Sequence, residues 1–147
     1  MWRVAQLEDE ASIVEMCLAL YAEDPGEPIT EAQVRRTLDT LRHEPTRGRV
    51  LVAARGGDVV GYALLVSFWS NENGGEICTI DELYVRAAFR GEGLSTKLFK
   101  ELADARELWP VRPVALELEV TPSNARARAF YERLGFSARN ATLRRRV

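Results

Sequence analysis

Apolar positions along this chain switch between two spacings. Ile13, Met16, Cys17, Leu20 and Tyr21 recur at helical intervals and predict a helix from about Asp9 to Ala22, after a short strand in Met1–Leu7. The run Glu23-Asp24-Pro25-Gly26-Glu27-Pro28 breaks that helix. Thr30-Glu31-Ala32-Gln33 then has the capping-box pattern, so a second helix is expected to about Arg42, with Val34, Leu38 and Leu41 inward. Strands follow in Arg49–Ala54 and Val59–Ser67 around the hairpin signal Arg55-Gly56-Gly57-Asp58. After a polar loop at Asn71–Gly75, a further strand covers Glu76–Val85.

Beyond Gly93 the helical period returns, with Leu94, Leu98, Phe99 and Leu102 on one face. Val114–Val120 alternates as a strand, and Asn124–Leu134 reads as a helix. Gly135 is placed to be its left-handed cap, with Phe136 folded back on the last turn. The tail from Ser137 is expected to add one or two strands. The order β-α-α-β-β-β-α-β-α-β describes an α/β fold, a mixed central sheet flanked by helices, in a single domain over 1–147.

A chain of 147 residues suits one domain, and nothing in it reads as a repeat or a domain linker. The formal net charge of −2 argues against a nucleic-acid partner, which demands a basic face. No apolar run approaches the ~20 residues of a membrane span, and the start carries acids where a signal peptide needs an apolar core. Cys17 and Cys78 form no spaced motif and read as reduced thiols in a cytoplasmic protein. No metal is expected. The oligomeric state, including a homodimer, is left open.

Chemistry concentrates in Leu83-Tyr84-Val85-Arg86-Ala87-Ala88-Phe89-Arg90-Gly91-Glu92-Gly93-Leu94-Ser95. A strand runs into a glycine-punctuated turn that opens a helix. Such a turn aims backbone N–H groups and the helix dipole at one point, which suits a phosphate. Gly91 and Gly93 permit unusual φ values and close approach of a ligand, and Arg90 adds a cation. A dinucleotide fingerprint needs a small residue where Thr96 stands. A Walker A loop needs Gly-Lys-Ser/Thr, whereas Lys97 lies between Thr96 and Leu98. Both fit worse. By itself, Asn124–Phe136 reads as a capped amphipathic helix.

Together, Arg-Gly-x-Gly-Leu-Ser after a Leu-Tyr-Val strand and, some 30 residues on, Asn-x-x-Ala-x-x-Phe-Tyr-Glu-x-x-Gly-Phe resemble the GNAT superfamily of acetyl-CoA-dependent N-acetyltransferases. The order of elements matches over nearly the whole chain, and the motifs lie between Ile77 and Phe136. The resemblance implies that the strand Leu83, Tyr84 and Val85 lines the cofactor, with Leu83 and Val85 offering backbone groups to the acetyl carbonyl and pantetheine arm. It implies that Arg90, Gly91, Glu92, Gly93, Leu94, Ser95 and Thr96 wrap the pyrophosphate. Asn124 would contact the cofactor arm, and Tyr131 would sit near its sulfur as the proton donor to the departing thiolate. Ala88 departs from the Gln or Arg often found three residues before the first glycine, which removes one side-chain anchor.

An amine must attack the thioester as the free base. At pH 7 deprotonating a lysine-like ammonium costs about 4.6 kcal/mol, so an acid that accepts this proton is expected. Asp81 and Glu82 are the candidates. Strict alternation sends them to opposite faces, and a bulge in the strand would decide which one meets the acetyl group. The family often builds its acceptor wall at the junction of the first two helices, here Tyr21, Glu23, Asp24 and Glu27. Trp69 and Glu72 are expected near the mouth of the central strands, where aromatic faces and carboxylates suit a cationic amine. His43 reads as a helix-end surface residue, Cys78 as a buried small residue, and Arg144-Arg145-Arg146 as a solvated strand end. The expected reaction is direct acetyl transfer to a primary amine of a small, polyamine-like molecule. The alternatives are a protein N-terminus or lysine as acceptor, or a CoA-sensing module without turnover.

Overall fold

The computed structural model describes residues 1–23, 26–104 and 107–147. In chain order the elements are β1 (Trp2–Val4), a 3-10 turn (Leu7–Asp9), α1 (Glu10–Glu23), α2 (Glu31–His43), β2 (Gly48–Arg55), β3 (Asp58–Ser70) and β4 (Gly75–Val85). A second 3-10 turn (Ala87–Phe89), α3 (Leu94–Asp104), β5 (Ala115–Leu118) and α4 (Ala125–Arg133) complete it. The strands form one sheet in the order β1-β2-β3-β4-β5. Its first three junctions are antiparallel and β4–β5 is parallel, with α3 as the crossover between them.

The local signals hold where the chain can satisfy them by itself. The α2 capping box forms, with Gln33 N–H donating to Thr30 Oγ1 at 3.2 Å and Thr30 N–H to Gln33 Oε1 at 2.8 Å. Gly56 and Gly57 take φ of 59° and 92° in the β2–β3 hairpin. Gly135 takes φ of 91°, and the Gly135 and Phe136 N–H groups close the end of α4 on the Glu132 and Tyr131 carbonyls.

Two apolar layers cover the sheet. On one face α1 and α2 bury Ile13, Met16, Cys17, Val34 and Leu38 against Val50, Val52, Tyr62 and Leu64. On the other, α3 buries Leu94, Leu98, Phe99 and Leu102 against Leu51, Leu65, Cys78 and Ile80, and α4 packs Phe130, Tyr131 and Leu134 beside them. Cys17 and Cys78 are both buried free thiols.

The β3–β4 ladder contains one irregularity that matters for function. Leu64 faces Glu82 while Leu65 faces Ile80, so Asp81 is an extra residue, a bulge. Ile80 and Leu83, three residues apart, therefore pack on the same α3 side, and Tyr84 joins the α1/α2 side.

Two strand expectations fail. The strand expected over Val114–Val120 is reduced to Ala115–Leu118, and Ser137–Val147 forms no strand. The tail is exposed and rich in arginine, and its Leu143 is 95% exposed. A strand there would bury almost no apolar surface to offset the entropy of ordering it. Arg144–Arg146 accordingly end an irregular segment rather than a strand.

Candidate active site

The loop between β4 and α3 is built by its two glycines. Gly91 and Gly93 adopt φ of 79° and 78°, a left-handed conformation that residues with a Cβ rarely take. A Cβ added at either would meet no atom within 4 Å, so the space over both is open. The first helical hydrogen bond here runs from Lys97 N–H to Gly93 O at 3.0 Å. The N–H groups of Leu94, Ser95 and Thr96 therefore precede the helical ladder and point out of the helix start. The Trp2 indole, 3% exposed, fixes that start from below by donating to Leu94 O at 2.8 Å.

Beside the loop the sheet opens. The β4–β5 ladder ends at the Ile80–Leu118 pair, while β4 continues to Val85. Arg86 N–H donates to Val60 O on β3 at 2.9 Å. By antiparallel alternation Glu82 and Tyr84 also turn their backbone groups toward β3, and Leu83 and Val85 turn theirs toward the gap. Tyr84, expected among the cofactor contacts, faces the other way. Its side chain is buried on the α1 side, its hydroxyl donates to Glu23 at 3.2 Å, and its ring lies 5.2 Å under the Arg90 guanidinium. Arg90 does not reach over the glycine turn as expected. It donates to Val85 O at 2.8 Å and to both Glu23 carboxylate oxygens at 3.0 and 2.8 Å. Glu92 pairs with Arg55, so only its backbone belongs to the loop.

The bulge separates the two acids. Asp81 is exposed at the rim and has no ion pair among the described residues. Partial withdrawal of its carboxyl from water, then the charges of Glu82 and Glu119, push its pKa upward, with Arg144 opposing. Glu82 is half-buried on the α1 side. It accepts from Tyr21 Oη and Tyr62 Oη, each at 2.8 Å, and from Cys17 Sγ at 3.7 Å. A cavity of about 20 Å³, the size of one water, lies between Glu82, Tyr62 and Cys17. A larger cavity of about 350 Å³, between β1, α1, α2 and β2, contains none of the predicted site residues. Tyr62 and Cys17 carried no sequence signal, because each sits in an apolar run that reads as core.

On the α3 side, Tyr131 is half-buried among Phe99, Phe130 and Phe136, with ring centroids 6.0, 5.3 and 5.9 Å away. Burial pushes its phenol upward, so the hydroxyl keeps its proton at neutral pH. Among the described residues that hydroxyl has no hydrogen-bond partner. Asn124 is the N-cap of α4, its Oδ1 accepting from Ala127 N–H at 3.1 Å, and among the described residues its side-chain amide N–H groups make no hydrogen bond.

The family model described as the acetyltransferase (GNAT) family matches residues 14–136. The chain belongs to that family. Its members are acyltransferases that generally take the acetyl group from acetyl-CoA. No protein of curated function matches the sequence. Among solved structures, a possible acetyltransferase from Clostridium difficile 630 superposes with a TM-score of 0.84 at 23% identity, covering 100% of this chain and 96% of that one. A ribosomal-protein-alanine N-acetyltransferase from Brucella melitensis biovar Abortus 2308 gives 0.75 at 22% identity, covering 100% and 99%. A glucosamine-6-phosphate N-acetyltransferase from Arabidopsis thaliana gives 0.71 at 18%, covering 99% and 97%. At these identities the likeness shows the fold, and one fold serves both kinds of acceptor.

The acceptor wall expected for a GNAT chain is only partly assembled. Tyr21 meets Glu82. Glu23 is paired with Arg90 and Glu27 with Arg146, both in exposed ion pairs. Asp24 lies outside the described residues. Trp69, 67% exposed, and Glu72, 3.6 Å from Arg139, do not join the site. Trp69 pairs with Glu76, six residues before Glu82 on β4, which places them about 20 Å along the strand. His43 is exposed at the end of α2, as expected. Among the described residues no helix is long and apolar enough to cross a membrane, and no cluster suits a metal.

Proposed function

We propose that the chain transfers the acetyl group of acetyl-CoA to the primary amine of a small molecule, by direct attack in a ternary complex. The supporting observation is the geometry of β4. Over Ile80–Val85 one strand turns backbone groups into the gap beside the glycine loop and, through the Asp81 bulge, aims a carboxylate at the α1 side.

The residues present fit the cofactor. The open space over Gly91 and Gly93 and the outward N–H groups of Leu94, Ser95 and Thr96 suit its diphosphate. The Leu83 and Val85 backbones and the Asn124 amide suit the amides of its pantetheine arm. Acetyl-CoA supplies an activated acyl group and a thiolate leaving group. Glu82 or Asp81 accepts the proton of the ammonium, and the Tyr131 hydroxyl donates toward the departing sulfur. In this reading Leu83 N–H bonds the acetyl oxygen.

The test is thiol release from acetyl-CoA against polyamines, aminoglycosides, amino acids and short peptides. Turnover with a small amine, lowered in Glu82→Gln or Asp81→Asn, is the expected outcome. Turnover confined to peptides would move the acceptor to a protein amine. CoA binding without thiol release would make the chain a CoA-sensing module.

A further inference from the structure

We propose that Tyr62 and Tyr21, with the Cys17 thiol, are positioning residues that hold the Glu82 carboxylate for the acceptor amine. This rests on the function proposed above and adds residues to it.

The carboxylate is fixed from two elements. Tyr21 Oη and Cys17 Sγ come from α1, and Tyr62 Oη comes from β3. Each carboxylate oxygen receives one phenol at 2.8 Å, Oε1 from Tyr21 and Oε2 from Tyr62, and the thiol adds a longer contact to Oε2 at 3.7 Å. Two donors on two oxygens fix both the place and the rotation of the group. The rings are themselves anchored. Tyr62 is 1% exposed in the layer formed by Ile13, Val34, Leu38 and Leu64, and Tyr21 packs at its edge.

All three donors are neutral and keep their protons. Burial, followed by the Glu82 charge, raises the Tyr62 phenol. Burial and then the hydrogen bond to Glu82 raise that of Tyr21. Burial pushes the Cys17 thiol up to about 11. The carboxylate is thus held by dipoles alone, and no lysine or arginine pairs with it among the described residues. An arginine partner would neutralise the group. Hydroxyl donors orient it and leave its negative charge for an incoming ammonium.

If the tyrosines act through Glu82, their effects and that of Glu82 cannot add. The experiment compares Tyr62→Phe and Tyr21→Phe in the unsubstituted chain and in Glu82→Gln, using the best amine from the screen. It reads kcat, both KM values and thermal midpoint. Each Tyr→Phe change should lower kcat/KM for the amine roughly 10- to 100-fold, as expected for loss of a hydrogen bond to a charged group. The KM for acetyl-CoA should be unchanged. In Glu82→Gln the same changes should cost nothing further. Equal losses in both backgrounds, or no loss in the unsubstituted chain, would overturn the proposal. If Tyr62→Phe does not fold, Tyr21→Phe decides by the same comparison, since its ring lies at the edge of the layer. No transfer by the unsubstituted chain to any amine would overturn the functional reading itself, and this inference with it.

Discussion

The indole N–H of Trp2 donates a 2.8 Å hydrogen bond to the carbonyl of Leu94, 92 residues later in the chain. Trp2 thereby holds the helix start at which the glycine loop ends. Trp2→Phe keeps most of the buried ring and removes the donor. Stability should fall by about 1 kcal/mol, and CoA affinity should weaken several-fold as the loop loses its anchor. Thermal melting and calorimetry on one preparation check both, and a variant unchanged in each would show that the bond does not support the loop.

Gly91 and Gly93 make a sharper case. Both have positive φ, and the space around each is open. A side chain there would not clash with the protein. It would strain the backbone by about 1–3 kcal/mol and fill the space left for the ligand. Gly91→Val and Gly93→Val should fold with reduced stability and bind CoA at least 10-fold more weakly. Unchanged CoA affinity by calorimetry in both folded variants would remove the loop from cofactor binding.

Asp81 should be visible in the pH dependence of stability. Its pKa in the folded chain is raised, first by withdrawal from water and then by Glu82 and Glu119. A raised carboxyl favours the protonated native state. Its contribution is complete below the unfolded value near 3.9 and is lost as pH rises through the folded value. Asp81→Asn should therefore melt higher than the parent at pH 7, with the difference closing toward pH ~4. A difference that is constant with pH, or that grows on acidification, would contradict the assigned environment.

Tyr131 separates packing from chemistry. Its ring touches Phe99, Phe130 and Phe136, whereas its hydroxyl has no partner among the described residues. Tyr131→Phe should melt within about 0.5 kcal/mol of the parent. Turnover should fall toward the low end of the ~10²–10⁴-fold range of general acid catalysis. Tyr131→Ala should instead cost about 3–5 kcal/mol of stability. Full turnover in a stable Tyr131→Phe protein would take the hydroxyl out of the mechanism.

Features governed by neighbours within a few residues are legible in the sequence itself. The Thr30–Gln33 capping box, the Gly56-Gly57 hairpin, the Gly135 cap and the inward faces of α1, α2 and α3 all form as their spacing requires. So does the strand–glycine turn–helix unit at Val85–Leu94, since only glycine tolerates the φ that the turn needs. Each depends on hydrogen bonds or sterics across at most a helical turn, which the local sequence encodes completely. The rest required distant partners. The Asp81 bulge exists only in register with Leu64 and Leu65 of β3, and without it Glu82 would point to the other face of the sheet. The two phenols on Glu82 come from residues 61 and 20 positions away. Arg90 meets Glu23 instead of the glycine turn because α1 ends beside it. Strand pairing and buried side-chain bonds depend on contacts between remote segments, so local spacing could name the acids and the loop, whereas only the packed sheet decided which way each one faces.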